Sequence, residues 1–524
     1  KARDIADSTK TLDVDGGTIK LDGNYPVGTG NVALGNTALD SVEAGGTYNV
    51  ALGDAAGTAI TTGDGNVGVG ADALLLNSSG GYNTALGTSS VRNNTTGNYN
   101  VGLGQGALYS NTTASNNTAV GYQALFDNTT AERNTAVGRL AAANTTTGAD
   151  NTAMGSAALT TNTTGATNIA IGASALRLNT TASNNTAVGF EAGYANTGDK
   201  NTFVGNEAGV ANTSGRLNTM LGRRAGKSNT TASSNTFVGQ ASGETNTTGQ
   251  YNTALGDQSL QSNTTASRNT AVGYQALYSQ TTAQGGYNTA VGYRAGYTGN
   301  GYYNTHIGYT AGNISTGYRG TFIGHGAGNS ITTGNGNTII GTYNGNSVGL
   351  DIRTSSNNIV LSDGDGNVRF RIDANGTATF DNAVSAQNNN IINVNSDYPS
   401  AGTTTMYMEA DGDIATRSGS YGTISDQRLK QQITTANSQW DDVKAAVVKK
   451  YKFNADVEAF ADDAPEQIGW VAQELETAGL NGVVKDGQDG FKSVKTTVLM
   501  IKAFKALQEA MTRIETLETQ NASF

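Results

Sequence analysis

The chain has 524 residues, a formal net charge of −10, seventy glycines, three prolines and no cysteine. The absence of cysteine excludes disulfides and thiolate zinc sites, and an acidic balance without a basic run argues against nucleic acid as a partner. No run of eighteen apolar residues occurs, so no membrane insertion is expected.

The first thirty residues predict a β-hairpin that caps or connects the segment after them. An alternating run over residues 11–21 is interrupted by Gly16 and Gly17. Alternation favours a half-buried strand, and a Gly-Gly pair favours a tight turn between two strands. Residues 1–30 are therefore assigned as an N-terminal hairpin.

Residues 31–345 are predicted to form a repeat array. The pattern Asn-Thr-small-aliphatic-Gly-x-x-Ala returns about every seventeen residues, as in the copy from Asn117 to Ala124. A fixed period of this size is typical of arrays in which each unit buries its apolar side against its neighbours. We expect a mainly β fold with an elongated parallel β-roll, or solenoid, whose nineteen rungs stack at roughly 4.8 Å.

Each rung is predicted to contain two short strands and an outer loop rich in Asn and Thr. Positions are counted from the leading asparagine, which is position one. Alternation places Thr118 and Val120 on one face of the strand and Ala119 on the other. Because position four is aliphatic in copy after copy, we expect it to face the core. Gly121 marks the turn, and the leading asparagines are expected to stack as a ladder of amides.

The composition predicts that the roll is a homotrimer. Apolar residues make up only 36% of the chain. A single narrow roll then buries little surface per residue and needs partners along its length.

The repeat resembles the head repeats of trimeric autotransporter adhesins, which form β-rolls wound side by side in threes. The similarity lies in the Asn, aliphatic, Gly and Ala positions and covers about three fifths of the chain. It implies the same rung geometry, although the period here is longer and the excess falls in the Asn-Thr-Thr loop.

Residues 346–424 are predicted to form a β-rich collar. The period fails after Gly341, and short apolar segments are then separated by Asp-Gly and Asn-Gly pairs. These dipeptides favour hairpin turns between neighbouring strands.

Residues 425–524 differ in character and predict an α+β domain that ends in a trimeric coiled coil. Both tryptophans, Trp440 and Trp470, lie here. Apolar residues near the end follow spacings of four and three, which is the seam of a coiled coil. These residues are Met500, Phe504, Leu507, Met511 and Ile514.

Two motifs in this last segment resemble the C-terminal intramolecular chaperone of phage tail fibres, tailspikes and endosialidases. They are Ser-Asp-Gln-Arg-Leu-Lys at residues 425–430 and Ile-Gly-Trp-Val-Ala-Gln-Glu-Leu at residues 468–475, followed by the coiled coil. The resemblance implies a domain that trimerises and guides folding of the β-structure ahead of it. Such domains commonly release themselves by cutting their own chain.

The same resemblance assigns catalytic roles to three residues. Ser425 is the nucleophile, Lys430 is the base, and Asp426 is the first residue of the freed fragment. A serine hydroxyl needs a nearby base to take its proton, and Lys430 lies five positions on. The alternative is that Ser425 caps a helix that begins near Gln427. We expect at most a single self-cleavage and no turnover enzyme, and no cofactor or metal.

Stacked rungs also predict a column of rings at position six. Tyr274, Tyr293, Tyr309 and His325 occupy this position in successive rungs. Their rings are expected about one strand spacing apart. Such a column is a candidate receptor-binding surface for sugar rings, and it is equally suited to mutual stacking in a structural ladder.

Together with the repeat array, the resemblance implies a virion tail fibre, made in the host cytoplasm, that attaches to the host surface. The expected partners are two further copies of the chain, other tail or fibre proteins, and a host glycan or protein receptor. One alternative is a cellular trimeric adhesin or extracellular filament subunit. Another is a polysaccharide depolymerase, because Glu191 and Glu207 fall on adjacent rungs as a candidate carboxylate pair.

Overall fold

The computed structural model describes most of the chain, in two units that are treated separately. The described residues are 28–280, 286–347, 349–380, 436–452, 466–486 and 492–523, together with the strands at 392–396, 403–408 and 414–416. The units are Lys1–Thr377 and Ala378–Phe524. Of the predicted hairpin in residues 1–30, residues 1–27 lie outside the described part.

The first unit is a parallel β-solenoid with one three-residue strand in each rung. Each strand pairs in register with the next, so equivalent residues lie side by side. The predicted mainly β solenoid is therefore confirmed. The strands β1 to β19 are Val32–Leu34, Val50–Leu52, Val67–Val69, Thr84–Leu86, Val101–Leu103, Thr118–Val120, Thr135–Val137, Thr152–Met154, Ile169–Ile171, Thr186–Val188, Thr202–Val204, Thr219–Leu221, Thr236–Val238, Thr253–Leu255, Thr270–Val272, Thr289–Val291, Thr305–Ile307, Thr321–Ile323 and Thr338–Ile340.

The solenoid sheet continues past β19 before the unit ends. Strands β20 (Asn346–Ser347) and β21 (Leu350–Asp351) form a small antiparallel pair. Strand β22 (Ile359–Ser362) then pairs in parallel with β19, and β23 (Val368–Ile372) pairs with β22 in the antiparallel sense. The sheet thus changes from parallel to antiparallel at its C-terminal end.

The second side of each rung is a series of turns, and the prediction of a second strand there is wrong. Residues at positions seven and nine adopt left-handed backbone conformations, as Gln123 (φ 53°) and Leu125 (φ 50°) do. Hydrogen bonds still run between rungs, from the Gln123 N–H to the Gln105 carbonyl at 3.0 Å and from the Leu125 N–H to the Ala141 carbonyl at 3.0 Å. Backbone donors are therefore satisfied without an extended strand.

The glycine at position five is required by the approach of neighbouring rungs. At Gly121 the backbone φ is +131°, and an added Cβ would lie 2.6 Å from the carbonyl oxygen of Gly138 in the next rung. A side chain at this position meets both an unfavourable backbone conformation and a clash. The glycine thus allows rungs to stack at strand spacing.

The strand turns the opposite face to the core from the one predicted. Ala119, the middle residue of β6, is fully buried, whereas Thr118 and Val120 are partly exposed. The expectation that the aliphatic position four faces the core is wrong. The interior of a rung is thin, and the middle strand residue fills it together with the residues at positions eight and nine, such as Ala124 and Leu125.

Side-chain volume in this thin core is shared between positions three and nine. In many rungs a small strand residue is combined with a leucine, as Ala119 is with Leu125. A large one is matched by glycine: an added Cβ at Gly209 would lie 2.3 Å from the ring of Phe203. The other rungs of the second kind pair Met220 with Gly226, Phe237 with Gly243, His306 with Gly312 and Phe322 with Gly328.

The predicted ladder of leading asparagines is present along the solenoid. Asn134 shows the pattern: its backbone N–H donates to Oδ1 of Asn117 at 2.9 Å, and its Nδ2 donates to the Gly148 carbonyl at 3.0 Å. Equivalent N–H to Oδ1 bonds join successive rungs from Asn31 to Gly320. Each buried amide therefore satisfies backbone groups of two neighbouring rungs.

A second buried asparagine ladder runs beside the first, and amides of both ladders donate to the same carbonyl, as Asn100 and Asn111 do at Ala114. Nδ2 of Asn111 donates to Oδ1 of Asn94 at 2.7 Å and to the Ala114 carbonyl at 3.0 Å. These asparagines belong to the segments that the sequence analysis treated as an outer loop. The loop is thus tied down by its own amide column.

The second unit is a mixed α+β unit. Its strands are β24 (Ala378–Phe380), β25 (Ile392–Ser396), β26 (Thr403–Met408), β27 (Ile414–Thr416), β28 (Lys449–Tyr451), β29 (Gln467–Gly469), β30 (Val484–Asp486) and β31 (Lys492–Val494). Its helices are α1 (Trp440–Ala445), α2 (Ala472–Thr477) and α3 (Thr496–Ala522), with a 3₁₀ turn at Asn481–Val483.

Antiparallel pairing and a small apolar cluster organise this unit. Strands β25, β26 and β27 form one sheet, and β28 pairs with β29 as β30 does with β31. Leu475, Leu480, Val483 and Leu499 are buried together. This cluster packs α2 and the 3₁₀ turn against the start of α3.

Candidate functional site

The predicted self-cleavage site lies outside the described residues. Ser425, Asp426 and Lys430 all fall in the segment 417–435, which the structure does not describe. Their assigned roles therefore stay predictions from the sequence motif.

The four rings predicted to form a column at position six are brought together. Ring centroids are 5.3 Å apart between Tyr274 and Tyr293, and 5.0 Å apart both between Tyr293 and Tyr309 and between Tyr309 and His325. The planes lie within 19° of parallel. In-register pairing of the strands just before these residues places the rings one above the next.

Stacking decides which atoms of the column a ligand can reach. The faces of the inner rings are covered by one another, while the three tyrosines remain 39–50% exposed. Ring edges and phenolic hydroxyls therefore face solvent in a row with about one strand spacing between them. Such a row offers hydrogen bonds to a ligand more readily than flat apolar faces.

A second column, which the sequence analysis missed, occupies the position just before the leading asparagine. Tyr251, Arg268, Tyr287, Tyr303 and Arg319 succeed one another there, each with a positive φ. The Arg268 guanidinium lies 5.5 Å from the ring of Tyr251 and 5.1 Å from that of Tyr287. Each of these residues directly precedes the first position of its rung, and this constant spacing could have predicted the column from the sequence.

The outer face of the strands carries a row of exposed aliphatic side chains at position four, named here the aliphatic stripe. Its most exposed members, between 37% and 63% exposed, recur along the whole solenoid. They are Leu34, Leu86, Leu103, Met154, Ile171, Leu221, Leu255, Val291, Ile307, Ile340 and Leu361. A contiguous apolar row of this kind is typical of an interaction surface.

The predicted coiled-coil seam lies on α3 and faces solvent in the single chain. Its five apolar residues are between 54% and 66% exposed. The helix runs for 27 residues, long enough for more than three heptads. The trimeric coiled coil itself stays a prediction.

Of the acidic pair considered for a depolymerase, Glu191 and Glu207, the second lies in a network of ion pairs. The Glu207 carboxylate is 2.7 Å from Lys227 Nζ and 3.7 Å from Arg224 Nε, while Arg224 Nη2 is 2.6 Å from Glu244. The hydrogen bond from Lys227 lowers the pKa of Glu207. A general acid needs a raised pKa instead, so the geometry here favours a charge ladder.

These features define a class: a repeat solenoid with a laterally exposed apolar stripe, followed by an α+β unit with a long C-terminal helix. Residues 425–485 match the family model described as the chaperone of endosialidase. The resemblance recognised in the last segment is therefore confirmed. A β-solenoid followed by this domain fits a phage-type fibre with a C-terminal chaperone. No curated protein and no solved structure matches the chain.

Among the described residues, no helix combines the length and the hydropathy needed to cross a bilayer.

Proposed function

We propose that the chain is the subunit of a homotrimeric phage tail fibre or tailspike that attaches the virion to the host surface. Its C-terminal chaperone drives trimerisation. In this proposal residues 1–30 connect or cap, 31–345 form the shaft, 346–424 form the collar and 425–524 form the chaperone. The aliphatic stripe is the observation that carries the proposal.

The stripe supports lateral association because it is apolar, continuous and self-similar. Each rung adds one aliphatic side chain about one strand spacing from the last. Three copies in the same register can bring three identical stripes together around a common axis. Burial of each side chain then contributes about 1 kcal/mol or more, summed over the length of the shaft.

Trimerisation is proposed to begin in the C-terminal unit. The exposed seam of α3 has the spacing of a coiled coil, and three such helices would bury it. A local trimer at one end raises the effective concentration of the shafts and aligns their rungs. Folding of the solenoid as a trimer then proceeds from the chaperone.

The proposal is tested by mass and by imaging. Native mass spectrometry of the full chain is expected to show three copies, and gold-labelled antibodies against the chain are expected to mark tail fibres on isolated particles. A monomeric mass would contradict the trimer. Label on cell surfaces in place of particles would favour the alternative, a cellular trimeric adhesin or filament subunit.

Self-cleavage is proposed at the bond between Ser425 and Asp426. The family match begins at residue 425, and Lys430 lies close enough in sequence to serve as the base. Wild-type protein is expected to give a large and a small band on a denaturing gel, whereas Ser425→Ala and Lys430→Ala give one full-length band. A single full-length band from wild type as well would contradict cleavage.

The position-six column is proposed to contact the host receptor through its exposed edges and hydroxyls. Replacing Tyr293 and Tyr309 by alanine is expected to reduce attachment to host cells about tenfold. The control replaces Tyr82 and Tyr99, a stacked pair with centroids 5.3 Å apart elsewhere on the solenoid. Equal attachment by the two double variants would show that the column is only a structural ladder.

A further inference from the structure

One segment of the solenoid has a charge balance opposite to that of the whole chain. Between Asp257 and Asp351 there is no aspartate, glutamate or lysine, but three arginines occur, in a chain with a net charge of −10. Ten of the 22 tyrosines fall in the same interval. The described residues of this interval, 258–280, 286–347, 349 and 350, are named here the basic aromatic segment.

The arginines of this segment lie against tyrosine rings. Arg268 is exposed, stands between the rings of Tyr251 and Tyr287, and donates from Nη1 to the Tyr287 hydroxyl at 2.5 Å. The Arg294 guanidinium lies 4.0 Å from the ring centroid of Tyr297. Contact between a guanidinium and a ring face holds the cation in place without neutralising it.

Arg319 repeats this arrangement at the other end of the column. Its guanidinium lies 5.7 Å from the ring centroid of Tyr318, whose ring stacks on Tyr302 at 5.0 Å. Arg268 and Arg319 occupy the same rung position three rungs apart, or roughly 14 Å along the stack. Tyr287 and Tyr303 fill the rungs between them.

An arginine at the same rung position elsewhere shows what is different here. Arg133 has a backbone φ of 58°, as Arg319 does, but its guanidinium lies 2.7 Å from Asp150 and 2.9 Å from Glu132. In the described residues, Arg268, Arg294 and Arg319 form no ion pair. The positive charges of the exposed Arg268 and Arg319 are available to a ligand, whereas that of Arg133 is compensated within the protein.

We propose that the basic aromatic segment binds an anionic glycan, a polysaccharide that carries carboxylate or sulfate groups. The inference rests on the proposed attachment function and names the chemistry of the receptor. Guanidinium groups can bind the acidic groups in a bidentate manner, and the exposed tyrosine hydroxyls and ring edges can contact sugar hydroxyls between them. The column of Arg268, Tyr287, Tyr303 and Arg319 presents these groups at regular intervals along the solenoid, as a polysaccharide presents its acidic groups and hydroxyls at regular intervals.

The test compares binding of the full-length protein to two immobilised polymers, polygalacturonate and neutral dextran, by surface plasmon resonance. Wild type is expected to bind polygalacturonate and to lose that binding as salt is raised. The double variant Arg268→Gln with Arg319→Gln is expected to bind about tenfold more weakly. Arg133→Gln, a matched change at the same rung position, is expected to bind as wild type does.

A folding control and two further results complete the test. Both changed arginines are exposed, so the variants should melt at the wild-type temperature. Equal binding to polygalacturonate and dextran, or equal loss in Arg133→Gln and the double variant, would overturn the inference. Attachment of the protein to host cells is measured separately. If wild type attaches and the double variant attaches equally well, the glycan inference is overturned but the proposed function is not. If wild type does not attach, the proposed function is contradicted.

Discussion

At the ninth position of a rung, glycine occurs where the strand of the same rung places a large side chain in the core. Phe237 and Gly243 form such a pair: a Cβ at Gly243 would lie 2.7 Å from three atoms of the phenylalanine ring. Where the strand residue is alanine, leucine takes the ninth position in six rungs, but Gly193 and Gly296 follow alanine strands because the large Phe203 and His306 lie in the next rung. Interiors are packed densely, so core volume is balanced within a rung and between adjacent rungs.

Gly243→Ala is expected to destabilise the solenoid by more than its backbone conformation explains. Alanine in a left-handed conformation costs about 1 kcal/mol, and the clash with Phe237 adds about 1–3 kcal/mol. Gly326→Ala is the control, because Gly326 has a φ of +64° and open space around an added Cβ. Urea denaturation of both variants measures the difference in the free energy of unfolding.

The same pair allows a compensation experiment. Phe237→Ala alone leaves a cavity, and Gly243→Leu alone overpacks the rung. The double variant recreates the Ala-Leu pairing of the next rung, Ala254 with Leu260, and is expected to be more stable than either single variant. A double variant that loses the sum of the two single effects would show that the two positions are independent.

His306 is expected to make the solenoid sensitive to acid. It replaces a core side chain, is fully buried and lies 5.1 Å from the ring of Phe322, and its Nδ1 has no hydrogen-bond partner among the described residues. Burial lowers the pKa of His306 from 6.5 to about 4. Between these pH values the unfolded chain binds a proton that the folded chain does not.

Above about pH 6.5, protonation of His306 therefore does not change the free energy of unfolding. This free energy decreases as the pH drops from about 6.5 to about 4, and the total decrease due to His306 is about 3 kcal/mol. His306→Phe, which repeats the residue of the next rung, is expected to remove this part of the pH dependence. Urea midpoints at pH 7 and pH 4.5 provide the comparison. Identical shifts in wild type and variant would contradict the prediction.

At the scale of the element, the rungs are held together by two buried amide columns as well as by strand pairing. Asn218 illustrates the first: it accepts from the Asn235 N–H at 3.0 Å and donates to the Ala232 carbonyl at 2.9 Å. Because these backbone groups have no access to water, each asparagine side chain replaces solvent for two rungs. The repeat is therefore strictest where a buried backbone group depends on it.

Asn218→Ala is expected to lower stability by about 1–3 kcal/mol, because the buried Asn235 N–H loses its partner, while the Ala232 carbonyl keeps its hydrogen bond from Asn229. Asn206→Ala, a change at an exposed position six, is expected to have an effect below about 0.5 kcal/mol. Thermal unfolding followed by circular dichroism compares the two variants. A similar loss in both would indicate that the ladder contributes little.

At the scale of the whole molecule, the aliphatic stripe predicts which substitutions disrupt assembly. Ile171→Lys with Leu221→Lys places two charges on the stripe and is expected to reduce the trimer yield about tenfold or more, since unpaired charges are costly in an apolar interface. The control is Leu76→Lys with Leu178→Lys. These leucines are similarly exposed, at 44% and 40%, but lie on the turn side of their rungs.

Native mass spectrometry distinguishes the outcomes. If both double variants remain trimeric, the stripe is not the interface. If both double variants lose the trimer, the added charges act wherever they lie on the solenoid, and the prediction that the stripe is the interface is contradicted.

The sequence alone determined the features that depend on local repetition. The leading asparagine and the glycine at position five recur because every rung meets the same neighbour, so the solenoid, the amide ladder and the ring column at position six could be predicted. The chaperone domain at residues 425–485 could also be recognised from the sequence, because several residues of its motifs occur together.

Only the tertiary structure decided which strand face is inside. Alternation distinguishes Ala119 from Val120 but does not say which of them faces the core, and the larger side chain was assigned inward. Closure of the rung leaves a thin interior that admits one strand residue and two turn residues, at positions eight and nine, and this volume arises from contacts across the rung. The second amide ladder, the left-handed turns and the exposed aliphatic stripe all follow from that closure, which no short stretch of sequence specifies.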